Sequence, residues 1–235
     1  MDLLVGYMRA HWPSLVPQKW RVKNEQYEEI VGRIIRDFSA GATRNKQFFR
    51  ISGQSGSGKT TQLLPAVERW FEVRDGKPIL VAARKFVEYH PFAKEIESEY
   101  GEENLRKMTD EVSTILMFLT LRVLIAGGYD IILDVTLLDP LVEGVLMNML
   151  ESNSYEIRMT MVAVAKEISD EFILRRQGRV VAKHTAEEFW RATRLALDFY
   201  AEEYAGMPIV VWNVWDREPV FDGKIGDDRA REAIN

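Results

Sequence analysis

Gly53-Gln54-Ser55-Gly56-Ser57-Gly58-Lys59-Thr60-Thr61 decides how the rest of the chain is read. Gly53, Gly58, Lys59 and Thr60 satisfy the spacing G-x-x-x-x-G-K-[ST], a phosphate-binding loop. The chemistry explains the residue types. Glycines let the backbone curl until successive N–H groups point at one anion, and the helix that follows adds the positive end of its dipole. All nine residues, Gly53 through Thr61, are therefore candidate nucleotide contacts. Lys59 is placed to reach the β and γ phosphates, and the Thr60 hydroxyl to hold Mg2+. Just before the loop, Gln47 to Ser52 reads QFFRIS, a short β-prone run, and the residues after it read as a helix to about Val73.

Outward from the loop, apolar strands alternate with amphipathic helices. Strands are expected at Pro78–Ala83, Tyr129–Thr136, 157–164 and Ile209–Asn213; helices at 24–41, in a long stretch ending at Gly127-Gly128, and near Leu141–Leu150, Glu167 and Thr185–Tyr204. That order predicts an α/β phosphate-loop NTPase fold, a mostly parallel sheet with helices on both faces, plus a helical N-terminal extension. The expected organisation is one domain over 1–235, with residues 1–45 the extension, 46–213 the nucleotide-binding core and 214–235 a polar, frayed tail turned at Asp222-Gly223. Tyr27, Ile30, Ile34 and Phe38 share one face of the first helix, and such a stripe more often packs on its own core than on a partner.

Composition narrows the function. Lys and Arg total 31 against 36 Asp and Glu, so no polyanionic partner such as nucleic acid is expected. With no Cys there is no thiolate metal site or cysteine nucleophile, and a metal must sit on oxygens or on the three histidines. The most apolar segment, Ile115–Ala126, is far short of the ~20 residues that cross a bilayer. The N-terminal MDLLVGYMRAHW lacks the flanks of a signal peptide. A cytoplasmic protein with no membrane partner is the expectation. Asn45-Lys46 precedes the loop and continues Gln47-Phe48, so the Asn-Lys-x-Asp of a guanine-specific switch is missing. A compact core with a late basic segment suits a small-molecule kinase instead, since such enzymes close a cationic lid over the transferring phosphoryl group.

Candidate residues follow from placement. Asp134 closes an apolar strand at the carboxyl edge, where ligands bind in open α/β sheets, and could hold Mg2+ or take a proton from an acceptor hydroxyl. Arg175, Arg176 and Arg179 form the candidate lid, and Thr136 and His90, near expected strand ends, are candidate substrate contacts together with Arg84, Glu88 and Arg179.

These elements together, GQSGSGKTT at 53–61, FVEYHP at 86–91, IILDVT at 131–136 and RRQGRVVAKH at 175–184, occur in an order and spacing that resembles zeta toxin family kinases. The similarity spans roughly residues 47–213, and the phosphate loop is its most specific part. The resemblance implies transfer of the γ-phosphoryl group of ATP or GTP to a hydroxyl of a nucleotide sugar, typically the 3′-hydroxyl of the amino sugar in UDP-N-acetylglucosamine. It also implies a toxin of cell-wall synthesis restrained by an antitoxin protein. Asp134 and Thr136 match the family's acid-x-Thr element, and Arg176 and Arg179 its lid arginines; Arg175 joins Arg176 in neutralising charge. In one place the chain departs: Arg84 stands where the family carries an aspartate base. Arginine cannot accept a proton at neutral pH. Either Glu88 or Asp134 then serves as base, or the acceptor differs, or nucleotide is bound without transfer. The alternatives are thus a kinase for another nucleoside or small metabolite, and a nucleotide-binding interaction module.

Overall fold

The computed structural model describes residues 6, 9–10, 15–53, 57–135, 140–163, 183–213 and 218–234. A single 3-10 turn at Gln18–Trp20 leads into α1 (Asn24–Ser39). The first turn of α1 is closed by the Lys23 N–H donating to Gln26 Oε1 at 2.8 Å. Its apolar stripe is inside: Tyr27, Ile30, Val31 and Ile34 are buried in the larger core. Each such burial stabilises by roughly 1.5–3 kcal/mol. The face that could have docked a partner is thus spent on the domain itself.

Then follow β1 (Gln47–Gly53), one π-type turn (Lys59–Leu63), α2 (Leu64–Glu72) and β2 (Ile79–Ala82). A 3-10 stretch at Ala83–Tyr89 leads to α3 (Ala93–Tyr100) and α4 (Glu102–Ala126), which are separated by Gly101 at φ +81°. Gly128, at φ +71°, ends α4 in the left-handed conformation that glycine adopts without strain, and the Tyr129 N–H reaches back to the Leu124 carbonyl at 3.2 Å. The remaining elements are β3 (Ile131–Asp134), α5 (Pro140–Ser152), β4 (Glu156–Ala163), α6 (Lys183–Glu203), β5 (Pro208–Asn213), β6 (Glu218–Lys224) and α7 (Asp228–Ile234).

The six strands run in the order β2-β3-β1-β4-β5-β6, and all neighbours are parallel except β5 and β6. Side chains alternate across the sheet. Phe48, Ile131, Leu133, Met159 and Val211 face the larger core, which holds residues of α1, α4, α5 and α6, while Phe49, Ile51, Ile132 and Val162 face Leu63, Leu64, Val67 and Phe71 around α2. Both faces are therefore covered by helices, as the alternation of elements predicts. The chain moves to one side of β1 for β2 and β3 and to the other for β4 and β5. That reversal opens a crevice at the carboxyl ends of the strands.

The last segment corrects the expectation of a frayed tail. Asp222 and Gly223 lie within β6, paired with Val210 and Ile209, and are not a turn. Phe221, Ile225 and Ala230 are buried. The apolar signal was thin because β6 is an antiparallel edge strand, with Val220 half exposed beside the buried Phe221. The expected helix near Glu167 lies outside the described residues.

Candidate nucleotide and phosphoryl-transfer site

The register of four neighbouring strands builds the site. Asp134 is opposite Ile51 of β1 and Ala82 of β2, and Gly53 is opposite Val162 of β4. The loop, the acid and the chain leaving β2 therefore meet at one edge of the sheet. Gly53 has φ +140°, and a Cβ there would sit 2.7 Å from the Val162 carbonyl oxygen and 2.9 Å from Ser57 Oγ. Any side chain would push the loop off the sheet. Gly58, at φ +89°, turns the chain into the Lys59–Leu63 turn. Of the nine loop residues, Gln54, Ser55 and Gly56 lie outside the described residues, and Gly53, Ser57, Gly58, Lys59, Thr60 and Thr61 lie within them.

Two features of the loop are those of an anion site. The Ser57 hydroxyl is buried at 1% exposure and has no hydrogen-bond partner among the described residues. A buried donor left in that state is costly unless something completes it. Lys59 Nζ folds back onto the Gly53 carbonyl oxygen at 2.6 Å, which keeps the ammonium at the loop mouth. Thr60 Oγ1 donates to Asp134 Oδ2 across 3.4 Å. A hydroxyl and a buried carboxylate at that separation form the donor set that Mg2+ uses alongside nucleotide phosphates, with oxygen ligands throughout and no need for an all-protein cage. No group of three or more His, Cys, Asp or Glu that could hold a metal occurs among the described residues.

Arg84 leaves the end of β2 and turns into the same place. Its Nη1 lies 3.4 Å from Thr60 Oγ1 and its Nη2 3.9 Å from Asp134 Oδ2. Sequence spacing put Arg84 near the acceptor; strand register puts it on the carboxylate. Glu88 is exposed on the turn that follows, where its charge helps raise the Tyr89 phenol to about 12, behind desolvation and a hydrogen bond to Asp37.

His90 is placed differently from the expectation of a substrate contact. The imidazole is 2% exposed, and its Nδ1 accepts the Phe92 N–H at 3.2 Å, so it serves the turn at Pro91 from inside the packing. Desolvation lowers its pKa to about 4, opposed by the charge of Glu95. The folded value lies below the unfolded 6.5, so the unfolded chain binds the extra proton between them. The stability that His90 contributes is whole above pH 6.5 and is lost as pH falls toward 4. Asn at this position keeps an acceptor for the Phe92 N–H and cannot titrate. Urea unfolding of His90→Asn from pH 7.5 to 4.5 should therefore show a flatter decline than the wild type, and equal slopes would count against burial as the cause. Thr136, Arg175, Arg176 and Arg179 lie outside the described residues.

A polar group that the sequence reading passed over sits beneath the site. Arg50, in the middle of β1, is buried at 1% exposure, and its Nη2 meets Glu143 Oε1 of α5 at 2.6 Å. The Tyr200 hydroxyl of α6 donates to the other oxygen of Glu143, also at 2.6 Å. Asp130, fully buried at the opposite end of β3, accepts the N–H groups of Asn45 and Gln47 at 3.0 Å each and pins the entry to β1. No local spacing signals either group, because their partners lie far apart in the chain.

A strand ending in a glycine-held loop, a lysine across its mouth, and a threonine paired with the carboxylate of the adjacent strand define a phosphate-loop fold of the kinase-like type. Comparison with known proteins sharpens this. The Zeta toxin family model matches residues 37–224, and the chain belongs to the zeta toxin family. Toxin PezT of Streptococcus pneumoniae serotype 4 is 24% identical over 148 residues, 62% of this chain and 56% of that protein, so the match spans little more than half of the relative's length. A solved chain from the PezAT chromosomal toxin-antitoxin system of Streptococcus pneumoniae is similar with a TM-score of 0.67 at 20% identity, covering 88% of this chain and 83% of that one. A chain from the AvrRxo1-ORF1:AvrRxo1-ORF2 structure with ATP has a TM-score of 0.59 at 12% identity, covering 95% and 79%. These structural likenesses concern the fold. Among the described residues, no helix is long and apolar enough to cross a membrane.

Proposed function

We propose that this chain is a cytoplasmic small-molecule kinase that transfers the γ-phosphoryl group of ATP or GTP to a hydroxyl of a nucleotide sugar such as UDP-N-acetylglucosamine. The observation that carries the reading is the convergence of Lys59, Thr60 and Asp134 on one edge of the sheet beside the buried Ser57 hydroxyl, which has no hydrogen-bond partner among the described residues. In the reaction, an acceptor oxygen bonds to the γ-phosphorus, the bond from that phosphorus to the β–γ bridging oxygen breaks, and the nucleoside diphosphate leaves with the electron pair. Lys59 neutralises charge on the β and γ oxygens. Thr60 and Asp134 are the residues that would hold Mg2+, which when bound supplies further neutralisation of the phosphates. Asp134 is also the carboxylate best placed to receive the acceptor proton, because Glu88 is turned to solvent. Arg175 and Arg176 are assigned to the cationic lid, Arg179 and Thr136 to the acceptor, on family pattern alone. An antitoxin protein is the proposed partner, by analogy with the toxin-antitoxin system named for the PezAT structure.

One observation favours a second reading. Arg84 pairs with Asp134, so the carboxylate proposed as base already faces a cationic partner. The second reading is a kinase for another nucleoside or small metabolite, or an interaction module that binds nucleotide without transfer. A screen of acceptors with ATP and GTP, read by phosphorus NMR, separates them. A phosphorylated UDP-sugar is expected. Phosphorylation of a different acceptor would move the assignment to the other kinase, and nucleotide binding with no acceptor phosphorylated would leave the interaction module.

A further inference from the structure

Arg84 holds the same two oxygens that the proposed metal would hold. Topology brings it there: Ala82 and Asp134 are in register on neighbouring parallel strands, and the chain turns into the 3-10 stretch directly after Ala82. Arg84 Nη1 is 3.4 Å from Thr60 Oγ1, its Nη2 is 3.9 Å from Asp134 Oδ2, and those two oxygens are 3.4 Å apart. One cationic group therefore sits against one hydroxyl and one carboxylate. A divalent ion taking both oxygens would meet a guanidinium that is permanently charged and cannot surrender its charge by deprotonation.

We infer that Arg84 competes with a divalent cation for Thr60 and Asp134 and takes over the triphosphate when the ion is absent, so that nucleotide binding persists without a divalent ion. The inference rests on the phosphate-loop reading and extends it to how phosphate charge is neutralised. A guanidinium presents five donors in a planar fork that matches two phosphate oxygens at once. The Arg84 side chain is 51% exposed and that of Asp134 only 5%, so the arginine is free to swing from the carboxylate onto a phosphate while Asp134 stays fixed. It also balances the Asp134 charge, which would otherwise repel the nucleotide. Removing Arg84 restores a bare carboxylate beside Thr60. That arrangement binds a metal ion well and a metal-free triphosphate badly. Thus Arg84, which replaces an expected base, takes on the role of an internal counter-ion.

Dissociation constants for non-hydrolysable ATP and GTP analogues, measured by calorimetry in EDTA and in Mg2+, test this on the full chain. The wild type is expected to bind in EDTA within about tenfold of its affinity in Mg2+. Arg84→Gln should lose about tenfold or more of its affinity in EDTA, the size expected for a contact to a charged group, and a clearly smaller factor in Mg2+. Mn2+ titrated into the nucleotide complex and followed by electron paramagnetic resonance should bind more tightly to Arg84→Gln than to the wild type. Equal affinities of the two proteins in EDTA, or Mn2+ binding no tighter in the variant, would overturn the inference. A folded wild type that binds neither analogue in either buffer would overturn the phosphate-loop reading along with it, and melting curves of both proteins establish that they are folded.

Discussion

Lys59→Ala is expected to weaken ATP or GTP binding by about 10²-fold or more and to lower any phosphoryl-transfer rate by about 10³-fold. The size follows from the geometry. Gly58 turns the chain with its left-handed backbone so that Lys59 begins the next turn, and the ammonium lies 2.6 Å from the Gly53 carbonyl oxygen, at the point where the loop closes. A phosphate entering the loop exchanges that neutral acceptor for a charged one, and the gain is largest for the γ-phosphoryl group as it moves. Alanine removes the charge and leaves the loop backbone, so residual weak binding through N–H groups is compatible with the reading. Calorimetric titration with non-hydrolysable nucleotide measures the first effect and phosphorus NMR turnover the second. An unchanged turnover rate in Lys59→Ala would sink the assignment of the site.

The second large effect concerns stability. Glu143→Ala is expected to destabilise the fold by about 3–5 kcal/mol, since it removes one member of a buried charged pair and leaves the other in the core. Both partners are almost inaccessible, with side-chain exposures of 2% for Arg50 and 0% for Glu143, so solvent does little to screen the loss. The Tyr200 phenol loses its acceptor in the same variant. Its pKa is held well above the ordinary value by burial first and by the Glu143 charge second, so it is a neutral donor in the native protein. Melting of Glu143→Ala should fall by roughly 6–20 °C for a chain of this size. Glu143→Gln keeps the shape and an acceptor oxygen, and should lose less. The double variant Arg50→Met/Glu143→Leu should recover much of the deficit, because apolar groups that fill the space of a buried pair restore packing without desolvating charge. A Glu143→Ala protein that melts within 2 °C of the wild type would remove the cluster from the stability of the fold.

The cluster also has a place in the architecture. Arg50 is three residues before Gly53 on the strand that carries the loop, while Glu143 and Tyr200 belong to helices on either side of β4 in the chain. One carboxylate thus ties α5 and α6 to the central strand beneath the nucleotide site. Such a buried, hydrogen-bonded arrangement fixes geometry as well as energy.

Much of this protein is determined locally. The phosphate loop is legible because its function depends on residues adjacent in sequence: glycines at fixed offsets, a lysine and a hydroxyl at the start of a helical turn. The α1 stripe, the end of α4 at Gly127-Gly128 and the parallel strands are legible because hydrophobic periodicity records which side of an element is buried. The edge strand β6 escaped for the converse reason, since a strand half open to solvent carries little apolar pattern. Register across parallel strands leaves no mark on local spacing. Only the tertiary structure could bring Arg84 from the end of β2 onto Asp134 at the end of β3, bury Arg50 against residues 93 and 150 positions away, and put His90 inside the packing. Sequence names the groups that can hold phosphate; the sheet decides which charges face one another, because Coulomb and hydrogen-bond energies depend on separations in space that chain spacing does not encode.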